Sequence, residues 1–99
     1  MRQIQEMLQE APGDAELHYM LAMEHVGLGQ DAEAVRCFQD LVRVAPTYAP
    51  AYHQAGRALT RLGRLLEARA MLQQGIPVAQ RQGNLHAAGE MQEFLDSLD

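Results

Sequence analysis

Three arginines in the second half of the chain have the spacing of a binding site. Arg57, Arg61 and Arg64 fall at i, i+4 and i+7, which is one face of a helix. Guanidiniums so arranged form a fork for carboxylates, because each can make paired, charge-assisted hydrogen bonds. The same stripe also reads as a solvated face whose arginines pair with the acidic first part of the chain, a contact worth about 0–1 kcal/mol each. Other reactive residue types are scattered. His18 and His25 share a helix face but stand about 10 Å apart along it at 1.5 Å per residue, too far to hold one metal. His53 and His86 have no neighbour of ligand type in sequence, so no metal site is expected. Cys37 follows Arg36 and precedes Phe38, with no base in view, and reads as a structural thiol. No phosphate loop, serine nucleophile motif or carboxylate pair is present. The residues point to binding, with no catalysis and no cofactor.

The elements that position these residues are written twice. Gly29 recurs as Gly63, 34 residues on (63 − 29), and Glu33-Ala34 recurs as Glu67-Ala68. Phe38 is answered by Leu72, Leu28 by Leu62, and Pro12 by Pro46 at the same interval. A 34-residue period with glycine near its middle and proline near its end marks a helical repeat. We divide the 99 residues into a half-repeat at 1–14, repeats at 15–48 and 49–82, and a C-terminal capping helix at 83–99.

Taken in order, Ile4, Met7, Leu8 and Ala11 line one face of a first helix over 2–11, which Pro12-Gly13 breaks. Asp14 caps a second helix running to about Leu28. Leu17, Leu21, Ala22, His25 and Leu28 form one stripe on it; Tyr19, Met20, Met23 and Val26 form another. A helix this apolar has to be covered on two sides. Gly29 suits the turn, Asp31 caps the third helix, and Ala34, Val35, Phe38 and Leu41 face inward. In the second unit Tyr52, Ala55, Gly56, Leu59 and Leu62 form the inner stripe, and Leu65, Leu66, Ala68, Leu72, Ile76 and Val78 follow on the next helix. Pro77 is expected to kink or end that helix, which otherwise extends to Gln82. After Gly83-Asn84 a last amphipathic helix presents Leu85, Ala88, Met91, Leu95 and Leu98 inward, with Glu90, Glu93, Asp96 and Asp99 facing away.

Ala22, Gly29, Ala34, Phe38 and Pro46, and again Tyr52, Gly56, Gly63, Ala68 and Leu72, are where the chain resembles the tetratricopeptide repeat family. The resemblance implies an all-α fold of about six helices, with antiparallel pairs stacked as a short right-handed superhelix. It implies a protein-interaction module whose inner wall is the first helix of each pair. The implied groove residues are Glu16, Tyr19, Met20, Met23, His53, Gln54, Arg57, Thr60 and Arg61. Tyr19, Met23 and Gln54 stand where some members grip a terminal carboxylate with Lys and Asn, so that use is not expected here. Tyr19, Met20 and Met23 offer a soft apolar surface, or pack on residues 4–11 or the next helix.

The net charge of −5 disfavours nucleic acid as partner. Charge is uneven: residues 57–81 hold five arginines against Glu67 alone, so a locally basic patch and an acidic protein partner are expected. No apolar run at the N-terminus suggests a signal or membrane anchor, and a lone thiol fits the cytoplasm. The other reading is a self-associating module, dimerising through uncovered terminal helices.

Overall fold

The computed structural model describes residues 1–99 as six helices and no strand. They are α1 (Arg2–Glu10), α2 (Ala15–Gly27), α3 (Asp31–Val44), α4 (Ala49–Arg61), α5 (Leu65–Arg81) and α6 (Leu85–Ser97). Each packs on the next, in an elongated body of 39 × 29 × 18 Å.

The turns at Gly29, Gly63 and Gly83 are copies of one another, the first two inside a helix pair and the third between α5 and α6. Each glycine has a φ between +71° and +78°, a region closed to most side chains. The next residue donates its N–H back to the carbonyl five residues earlier: Gln30 to His25, Arg64 to Leu59, Asn84 to Ala79, all within 2.8–2.9 Å. That bond ends a helix and reverses the chain without any side chain taking part. The opposite reversals are made by extended residues near proline, Ala11 before Pro12 and Ala45 before Pro46.

The core runs the length of the stack. Phe38, Leu41, Leu59, Leu72 and Met91 are fully buried, and Ala22, Ala34, Ala51, Ala55, Ala58 and Ala68 expose nothing. The alanines let helix backbones approach; the large side chains fill what remains. No polar or charged residue is buried.

Several details depart from the sequence reading. Asp31 is the first residue of α3 and caps nothing; Gln30 occupies the cap position without a side-chain bond. Leu28, Leu65, Leu66 and Leu85 are largely in water, because they sit at helix ends beyond the reach of the neighbouring helix. Pro77 does not end α5, which continues to Arg81. The carbonyl of Gln73 loses its helical donor there, but Gln73 and Pro77 lie on the exposed face, where water serves instead.

Candidate functional site

The leading helices α2, α4 and α6 position the side chains in question. On α4, His53 is half-buried and Arg57 exposed, one turn apart. Phe94 of α6 lies opposite: its ring centroid is 6.2 Å from that of His53 and 5.6 Å from the Arg57 guanidinium carbon. Glu90, Glu93 and Ser97 complete an open hollow of about 330 Å³. Arg57 makes no ion pair within the chain, so its donors remain free while the aromatic face holds it in place. Burial pushes the His53 imidazole below its ordinary value, and the Arg57 charge adds to this against a smaller opposing pull from Glu90. His53 therefore presents a neutral ring at pH 7. Beside it, Gln54, Pro50, Asn84, Ala87 and Met91 enclose a smaller space of about 130 Å³.

The other expected groove residues divide. Met20 and Met23, with Glu24, Gly27 and Leu28, line a shallow depression on α2. Glu16 is exposed on the same helix. Tyr19 is a packing residue: its ring lies 6.1 Å from Phe38 and 5.4 Å from Tyr48, joining α2 to α3 and to the N-cap of α4. Burial, then the neighbouring Tyr48, raises its phenol above the usual range. The Thr60 hydroxyl donates to the Gly56 carbonyl at 2.8 Å and is spoken for. Arg61 is turned aside to Asp31, with Nε 3.0 Å from one carboxylate oxygen and Nη2 2.9 Å from the other.

The three-arginine fork therefore does not form. Arg61 pairs with Asp31. Arg64 lies past the end of α4, at the N-cap of α5, and pairs with Glu67 at 2.6 Å. Only Arg57 faces the hollow. Glu90 and Glu93 are exposed, off the inward face of α6 as the sequence reading has them, and on that side they line the hollow with Arg57.

The sequence reading leaves out the α6 residues because it takes 83–99 as a cap with an acidic outer side, not as a leading helix. α5 has 17 residues where α3 has 14, and α6 starts 36 residues after α4, from 49 to 85. On that interval Glu90, Glu93 and Ser97 fall at the positions of Gln54, Arg57 and Arg61. Reading the last unit on its own interval would have found them.

The remaining reactive side chains are engaged locally. His18 Nε2–H donates to the Pro12 carbonyl at 2.6 Å, and His25 Nδ1–H to Gln30 Oε1 at 2.8 Å. Burial raises the Cys37 thiol, which lowers its thiolate fraction.

The tetratricopeptide repeat profile matches residues 15–48 and 49–77, almost the same two units the period marks. The chain belongs to the tetratricopeptide repeat family. A TPR repeat-containing protein of Pseudomonas aeruginosa is 29% identical to it, over 97% of this chain and 91% of that one. A tetratricopeptide repeat domain protein from Salinibacter ruber, solved by crystallography, superposes with a TM-score of 0.80 at 30% identity, over 86% of this chain and 94% of its own. The solution structure of a Bordetella parapertussis protein gives 0.83 at 25% identity, over 98% and 84%. Tetratricopeptide repeats in general mediate contacts between proteins.

Proposed function

We propose that this chain is a binding module, without chemistry of its own, that takes an extended segment or helix of another protein along the wall formed by α2, α4 and α6. The observation that carries this reading is the hollow at Arg57: a guanidinium held against Phe94 and ion-paired to no carboxylate of its own chain, beside His53. Such a cation meets an incoming carboxylate already oriented, which limits the entropy lost on binding. Glu90 and Glu93 across the hollow favour a basic side chain next to it. The partner segment is thus acidic where it meets Arg57 and mixed in charge overall. Met20 and Met23 supply adaptable apolar contacts further along. A net acidic surface makes protein the partner rather than nucleic acid. Cys37, a free thiol, suits the reducing cytoplasm.

The test begins with capture from the native host and then measures affinity for the captured segment. Arg57→Ala and Phe94→Ala should each weaken binding several-fold. Arg61→Ala should leave affinity unchanged, because that guanidinium is spent on Asp31. Equal affinity across all three variants would remove the hollow from the reading. Self-association through the end of the stack is the second reading. Met7 and Met20, 44% and 48% exposed, favour it. Glu10, Glu16 and Glu24, unpaired near them, oppose it.

A further inference from the structure

The smaller space beside the Arg57 hollow is the more enclosed of the two. Ala49 and Met91, 3% and 1% exposed, lie at its floor, with Pro50 and Ala87 as walls. Ala49 and Ala87 stop at Cβ, which leaves the space open. Gln54 and Asn84 bring carboxamides to it, and the Asn84 oxygen is already taken by the Ala87 N–H at 3.1 Å. The remaining wall is His53. No carboxylate, guanidinium or ammonium lines it.

Its volume is about 130 Å³. A cavity of about 150 Å³ holds a benzene ring, so this space takes one side chain of leucine or methionine size. A carboxylate or ammonium entering it would give up water and meet no opposite charge. The floor of Ala49 and Met91 stabilises a hydrocarbon side chain instead.

The two spaces stand in a fixed relation. His53 is common to both. On α4 the lining runs from Pro50 through His53 to Arg57, and on α6 from Ala87 through Met91 to Phe94. Each step is three or four residues, one turn of about 5.4 Å. One segment laid along the two helices reaches both. Residues i and i+2 of an extended segment, or i and i+4 of a helix, carry side chains at about this separation.

We propose that this space is a socket for one aliphatic side chain of the partner segment, carried two or four positions from the carboxylate that Arg57 takes. The proposal rests on the reading of the Arg57 hollow as a binding site and adds what the neighbouring residue must be. Arg57, unpaired, admits an acid; the socket, uncharged, rejects one.

Selection from a random peptide library against the full chain tests this. Enriched sequences are expected to hold Asp or Glu with Leu, Ile, Val or Met at one of those spacings. Ala87→Met fills the socket from its own wall; it should abolish the aliphatic preference and keep the acidic one. Pro50→Glu, exposed in the first turn of α4 where an acid suits the helix, should do the same by charging the wall. Arg57→Ala should do the reverse. In a synthetic copy of an enriched peptide, Ala in place of the aliphatic residue should weaken binding about ten-fold, and Lys further. Acidic peptides enriched with no aliphatic residue at a fixed spacing overturn the socket and leave the Arg57 hollow standing. So does an aliphatic preference that survives both Ala87→Met and Pro50→Glu. A library that yields no acidic preference overturns the reading beneath, and the socket with it.

Discussion

Gly75 is the residue on which the second and third units meet. A Cβ there would lie 2.5 Å from Tyr52 Cβ and 2.8 Å from Met91 Sδ. The first unit has the buried Leu41 at this position, one period earlier. In α5 the side chain is absent, and Tyr52 and Met91 fill the space from either side. Gly75→Ala would gain about 0.5–1 kcal/mol in helix propensity. The overpacking costs about 1–3 kcal/mol, and Tyr52 Cβ is too close to its own backbone to yield. Net destabilisation is expected, read as a lower denaturant midpoint. His53 provides a second prediction. Its folded-state pKa lies below the ordinary 6.5, so below that value the unfolded chain takes up the proton first. Stability should be flat above neutrality and fall as the pH drops through and below about 6.5. His53→Gln should flatten this part of the profile; an unchanged slope would mean that the ring is freely solvated.

Among the elements, α6 depends most on its ends. The Asn84 side chain accepts from the Ala87 N–H at 3.1 Å, and Arg69 of α5 holds the far end through the Leu98 carbonyl at 2.9 Å and the Asp99 carboxylate. Asn84→Ala should cost about 1 kcal/mol. Amide exchange should rise first in α6, since the Gly83 turn keeps its backbone bonds. Much of this level was legible in advance. The glycine and proline positions marked five reversals, and Ala34 and Ala68 did turn inward, because a 34-residue copy preserves which face is covered. The rest needed contacts distant in sequence. Nothing adjacent to Arg61 shows that it reaches Asp31 across the stack. Nothing in α5 alone reveals that α6 stands beside α4, where Glu90 and Glu93 line the hollow with Arg57. Local spacing places a residue on its own helix; which helix then stands opposite is decided by lengths and turns elsewhere.

At the scale of the whole molecule, two and a half units give a stack that carries a net charge of −5. The pairing of the central arginines also governs how quickly anything arrives. Arg61, Arg64 and Arg69 are each matched at contact distance by an acid of the same chain. From a few nanometres away those pairs cancel, and an approaching molecule senses the remaining charge, which is net negative at −5. Cationic surfaces are therefore drawn in faster than random collision would bring them. On the proposed reading, an acidic segment approaching Arg57 would travel uphill until the last step, so slow capture and slow release are expected.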